Sequence, residues 1–142
     1  MRGGGQAAAK NPRPPGPPAR VSIMNVVVIG ASNKPDRYSY QAVKLLAEYG
    51  HRVFPVHQRI KTIDDWPVFS SIKEITEPID TVTLYASADI SNALASDILQ
   101  LKPRRIIFNP GAENPDLEAK AQKAGILPLN PCTLVLLRSR QF

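Results

Sequence analysis

The sequence predicts an α/β domain with a parallel sheet of about five strands covered by helices on both sides. Three observations lead there. Short β-branched apolar runs alternate with longer amphipathic stretches, glycine follows two of those stretches directly, and no apolar run approaches the roughly 18 residues of a membrane span. The run Asn25-Val26-Val27-Val28-Ile29 is apolar on both alternating sets of positions, as a strand buried on both faces must be. Residues 40–49 carry Ala42, Val43, Leu45, Leu46 and Tyr49 as a helical stripe, and Gly50 stops it. Residues 52–56 read as a second strand. Residues 60–77 are less regular, with a short helix expected over 70–75.

Residues 79–84 form the third predicted strand. Residues 89–101 form a second long helix, with Ile90, Leu94, Ile98 and Leu101 on one face. Residues 105–108 are a fourth strand. Asn114 and Pro115 make an N-cap and N1 pair for a helix running to Ala124, stopped by Gly125. Residues 127–129 are a fifth strand, and Pro128 places it at an edge because proline lacks a ladder donor. The resulting expectation is a single Rossmann-like three-layer domain, strand order 3-2-1-4-5. In that order the first and fourth strands are neighbours. Gly30 and Gly111 follow those two strands and so flank the switch point where ligands bind.

Charge is unevenly spread. Residues 1–23 hold four basic residues, five prolines, four glycines and no acid. Such a segment has too little to bury to offset its ordering entropy, so a disordered Pro/Gly-rich basic extension is expected there. Met24 then reads as the natural start of a domain over 24–142. A transit peptide is the alternative, opposed by the prolines. An RNA-binding tail would lack aromatic residues for stacking bases. Setting the four basic residues apart leaves 14 Lys and Arg against 12 Asp and Glu in the remainder. A formal +2 gives no concentrated basic face, which argues against nucleic-acid binding. One cysteine, Cys132, excludes an intrachain disulfide and suits a reducing, cytoplasmic setting without a membrane anchor.

The first turn reads Gly30-Ala31-Ser32-Asn33-Lys34-Pro35-Asp36-Arg37-Tyr38-Ser39. Only the first glycine of G-x-G-x-x-G is present, which disfavours a standard NAD site. The loop is nonetheless rich in phosphate-binding groups: Ser32, Lys34, Arg37 and Ser39, with a helix N-terminus beginning near Ser39 or Tyr40. Ser39 would otherwise simply cap the helix. The second strand ends in His57, Arg59 and Lys61 where an NAD site places an acid. Those groups suit a cofactor bearing a ribose phosphate, NADP or coenzyme A.

Together Val26 to Ser32, Arg37-Tyr38-Ser39-Tyr40, Val53-Phe54-Pro55-Val56-His57 and Asn109-Pro110-Gly111-Ala112-Glu113-Asn114 resemble the small stand-alone CoA-binding-domain proteins. The ending Pro131-Cys132-Thr133-Leu134-Val135-Leu136-Leu137 resembles one branch of them. That family is similar to the CoA-binding domain of the succinyl-CoA synthetase alpha subunit, and the likeness covers residues 24–142. It implies a coenzyme A site built from several loops. Gly30, Ala31 and Ser32 would take the pyrophosphate, with Lys34, Arg37, Tyr38 and Ser39 beside it. His57, Arg59 and Lys61 would lie near the adenosine phosphate. Tyr85, Ala86 and Ser87 would border the nucleotide, and Asn109, Pro110 and Gly111 the pantetheine path.

The synthetases act through a phosphorylated histidine in a further ligase domain, which this chain is expected to lack. His51 reads as an exposed turn residue, and neither His51 nor His57 stands in a phosphohistidine context. No Ser/His/Asp set, metal spacing or paired carboxylate is legible; Asp64 and Asp65 read as loop charge. Cys132 is either a buried structural thiol or a partner for a mixed disulfide with coenzyme A. The expected function is a non-catalytic coenzyme A-binding module, a carrier, sensor or regulatory unit, with a homodimer open to it. An NADP-dependent oxidoreductase and a ligand-free protein-interaction domain remain the alternatives.

Overall fold

The computed structural model describes residues 23–142, so the reading of the preceding extension lies outside the described residues. The main sheet is five-stranded and parallel throughout. It contains β1 (Asn25–Ile29), β2 (Arg52–Val56), β5 (Thr81–Leu84), β6 (Arg105–Phe108) and β7 (Leu127–Leu129). Between them lie a small antiparallel hairpin, β3 (Thr62–Ile63) and β4 (Trp66–Pro67), and a 3-10 turn, Ile72–Glu74. The helices are α1 (Tyr38–Glu48), α2 (Ala88–Ala93), α3 (Ala95–Gln100), α4 (Pro115–Lys123) and α5 (Thr133–Arg138).

The strands lie in the order β2-β1-β5-β6-β7. Phe69 adds one isolated parallel bridge to Val56 on the outer side of β2. Its N–H donates to the Pro55 carbonyl (2.8 Å), and its carbonyl accepts from the His57 N–H (3.0 Å). Counting Phe69 as the third member, the sheet has the 3-2-1-4-5 pattern with β7 beyond it. The segment read as the third strand thus takes the fourth place, beside β1. The switch point therefore lies between β1 and β5, and Gly111 sits one strand further out than expected.

The alternation of β1 explains the three layers. Val26 and Val28 face α1 and α5, in a cluster with Val43, Leu46 and Leu137. Val27 and Ile29 face the other side, with Val82, Leu84, Ile98, Ile106 and Leu117 from β5, α3, β6 and α4. Val26, Val27 and Val28 are fully buried, as a doubly covered central strand requires. Pro128 is in the edge strand, as expected. Leu127 donates its N–H to the Arg104 carbonyl (3.0 Å), so the alternate residue Pro128 faces outward and removes an exposed donor.

Several elements differ from expectation. The helix over 89–101 is two helices meeting at Leu94 (φ −98°, ψ 0°). Ser91 and Asn92 are poor interior helix formers, and their side chains accept from Asn114 Nδ2 at 2.7 and 2.9 Å. Arg37, not Ser39, is the N-cap of α1, and no side chain caps it. His51 is buried rather than exposed. Its Nδ1 accepts from the Met24 N–H (3.1 Å), and its ring lies 5.3 Å from the Phe142 ring.

Candidate functional site

The carboxyl ends of β1, β2 and β5 open into two adjoining hollows that share Gly30, His57 and Tyr85. The first, about 460 Å³, is lined by Gly30, Ala31, Ser32, Lys34, Arg37, Tyr38 and Ser39, with Ile60 closing one side. The second, about 590 Å³, has an apolar floor of Ile29, Val56, Ile72 and Leu94. Its rim carries Gln58, Arg59, Ser70, Ser71, Ala86, Ser87 and Ile90. Of the residues singled out in the sequence, Lys61, Asn109, Pro110 and Gly111 line neither hollow. Ser70, Ser71, Ile72 and Leu94 were missed. Nothing local marks them, because the Phe69 bridge and the helix break bring them to the cleft.

Gly30 has a structural task that the sequence did not disclose. Its φ is +83°, and a Cβ there would stand 2.5 Å from the Tyr85 carbonyl oxygen. The glycine lets β1 and β5 close together at the switch point. The N–H groups of Gly30 and Ala31 both donate to the Val56 carbonyl (3.1 and 3.3 Å). They shape the first hollow but are not free donors for an anion. The available donors are elsewhere. The uncapped N-terminus of α1 leaves the first-turn N–H groups of Tyr38 and Ser39 at this hollow. Ser32 accepts from the Lys34 N–H (3.1 Å), which folds the loop back on itself.

Lys34, Arg37 and Arg59 are exposed and make no ion pair among the described residues. The ion pairs lie away from the cleft: Lys44–Asp64, Arg52–Glu77 and Arg104–Asp80. His57 is fixed at the junction, its Nδ1 accepting the N–H groups of Arg59 (3.0 Å) and Ile60 (3.3 Å). Tyr85 borders both hollows, while its Oη is buried with no hydrogen-bond partner among the described residues. Burial pushes that phenol well above its ordinary pKa. A third hollow, at the opposite end of the sheet near Met24 and Pro78, contains Asp80 and Arg104, which neutralise one another at 3.1 Å.

Asn109 is buried and fully engaged inside the protein. Its Nδ2 donates to Thr83 Oγ1 and to the Leu84 carbonyl, both at 2.7 Å. Its Oδ1 accepts from the Thr133 N–H at 2.8 Å, capping α5 from the residue that follows β6. Cys132 immediately precedes that helix, partly buried, and lines neither hollow. Among the described residues, no group of three or more His, Cys, Asp or Glu could hold a metal, and no helix is long and apolar enough to cross a membrane.

A doubly covered parallel sheet, with a cationic cleft and an open helix N-terminus at its switch point, defines a Rossmann-like class of α/β domain. The CoA binding domain family matches residues 24–138, and the chain belongs to that family. It is similar to the uncharacterized protein YneT of Bacillus subtilis, 31% identical over 75 residues, covering 53% of this chain and 56% of that one. It is also similar to the alpha subunit of the ADP-forming acetate–CoA ligase II of Pyrococcus furiosus, 39% identical over 56 residues. That match covers 39% of this chain and 12% of the subunit. The chain thus matches less than two thirds of either curated relative. Among solved structures, an uncharacterized protein with 34% identity has a TM-score of 0.82, the match covering 86% of this chain and all of that one. A Thermus thermophilus protein with 24% identity shares the fold, with a TM-score of 0.77 and coverage of 84% and 91%.

Proposed function

We propose that this protein binds coenzyme A as a non-catalytic module, a carrier, sensor or regulatory unit of the reducing cytoplasm. One observation carries the reading. Three cations without ion-pair partners among the described residues, Lys34, Arg37 and Arg59, stand around one cleft at the carboxyl ends of parallel strands. Two of them and the α1 N-terminus surround the first hollow, whose chemistry suits a pyrophosphate. The second hollow pairs an apolar floor with Arg59 and serines, which suits an adenosine carrying a ribose phosphate. Tyr85, Ala86 and Ser87 border that nucleotide. The pantetheine would leave towards Pro110 and Gly111 along their backbone, since the Asn109 amide is engaged internally. The family membership and the coenzyme A named in the ligase relative support this ligand. The non-catalytic role rests on the cleft chemistry: the one imidazole there has its Nδ1 occupied by backbone N–H groups and is no ready base.

NADP is the second reading. It is favoured by Arg59 at the end of β2, where no acid stands ready for ribose hydroxyls. Thermal shift with coenzyme A, dephospho-coenzyme A, NADP and NAD separates the two, because a ligand that binds only the folded state raises its stability. Coenzyme A is expected to stabilise most, and dephospho-coenzyme A less. Stabilisation by NADP alone would overturn the proposal, and no shift with any of them would favour a ligand-free interaction domain.

A further inference from the structure

We infer that His57 is a tautomer-locked hydrogen-bond donor that reads the nucleoside-side phosphate of a nucleoside diphosphate ligand; this rests on the ligand reading above. The ring is held from two directions. Its backbone N–H donates to the Phe69 carbonyl (3.0 Å), so the residue is fixed to the outermost bridge of the sheet. Its Nδ1 accepts the N–H groups of Arg59 and Ile60 at 3.0 and 3.3 Å. A ring nitrogen that accepts N–H bonds carries no proton of its own, so the neutral ring carries its proton on Nε2.

Nε2 is on the edge of the imidazole away from that turn. No hydrogen bond among the described residues involves it. His57 is also one of the few residues that line both hollows. The ring therefore offers one N–H between the cationic hollow of Ser32, Lys34 and Arg37 and the apolar floor of Val56, Ile72 and Leu94. A ligand with its charges in the first and its base in the second puts its nucleoside-side phosphate between them. An acid at the end of β2 would accept from ribose hydroxyls and repel that phosphate. A locked imidazole gives a hydrogen bond instead, and its geometry is set before the ligand arrives.

Two measurements on the full chain test this. Long-range 15N NMR of the free protein in mildly alkaline buffer is expected to show the neutral His57 ring with its proton on Nε2. Added coenzyme A is expected to shift that resonance. The second measurement is calorimetric affinity for coenzyme A in His57→Asn and His57→Gln. Asparagine keeps an acceptor near the Nδ1 position and loses the Nε2 donor, so melting should match wild type while affinity falls about ten-fold or more. Glutamine reaches the Nε2 position and should bind more tightly than asparagine. A proton on Nδ1, an unmoved Nε2 resonance at saturating coenzyme A, or unchanged affinity in His57→Asn overturns the inference. Failure of wild type to bind coenzyme A overturns the ligand reading and the donor role with it. The tautomer then tells whether the ring lock itself was also wrong.

Discussion

Replacing Asn109 by alanine separates a structural role for this residue from the ligand-facing one that its motif suggests. The substitution removes two donated hydrogen bonds, to Thr83 Oγ1 and the Leu84 carbonyl, and one accepted from the Thr133 N–H. Thr83 and Thr133 keep one another, their hydroxyls being 2.7 Å apart. The Leu84 carbonyl loses its side-chain partner, and the buried Thr133 N–H is left unpaired at the start of α5. Each such loss costs about 1–3 kcal/mol. The two share one site and do not add in full, so about 3 kcal/mol is expected. For a folded unit of about 120 residues this lowers the melting temperature by roughly 12 °C. Urea denaturation should show the same loss in midpoint with the slope unchanged. Coenzyme A affinity, measured well below the melting temperature, should stay within about two-fold of wild type, the change expected when no direct contact is removed. A variant that melts like wild type but binds coenzyme A much more weakly would refute the argument and return Asn109 to the ligand.

Four further outcomes are expected. Gly30→Ala should cost about 3 kcal/mol in chemical denaturation, because it combines a left-handed φ with a Cβ 2.5 Å from the Tyr85 carbonyl oxygen; a neutral result would mean that the two strand ends do not meet so closely. Lys34→Ala with Arg37→Ala should weaken coenzyme A binding about ten-fold in calorimetry and steepen no unfolding transition, since both are exposed and form no ion pair among the described residues; equal affinity would relocate the pyrophosphate. Burial, and then the Arg105 charge, lower the His51 pKa in the fold. The unfolded chain therefore binds the extra proton first, and the His51 contribution is complete above about pH 6.5 and erodes as pH falls below it. Stability measured against pH should show this slope, and His51→Asn, which keeps an acceptor for the Met24 N–H, should flatten it. Asp80 acts in a lower window: burial pushes its pKa up, but hydrogen bonds from Arg104 and Thr81 hold it below the usual carboxylate value. Pro128→Val restores an outward N–H on the edge strand and should raise self-association in size-exclusion chromatography; an unchanged elution volume would mean that other features protect this edge.

The parts of the architecture that local chemistry can write were legible along the chain. The valine run of β1 announced a strand covered on both faces, Asn114 and Pro115 announced α4, and Pro128 announced an edge. Each is a property of a residue and its immediate neighbours: apolarity at every position, a side-chain oxygen followed by a fixed φ, a missing N–H. The clustering of Ser32, Lys34, Arg37 and Ser39 in the loop before α1 was legible for the same reason. The tertiary structure alone decided where those pieces meet. It put residues 81–84 beside β1 and moved the switch point away from Gly111. It buried His51 under Phe142, and it made Gly30 necessary through the approach of Tyr85 from 55 residues away in sequence. It also started α5 with a cap from Asn109, 24 positions earlier, which no local pattern at Thr133 reveals. A hydrogen bond or a close approach between distant residues depends on register and packing across the whole sheet, and neither is a property of any short stretch of the chain.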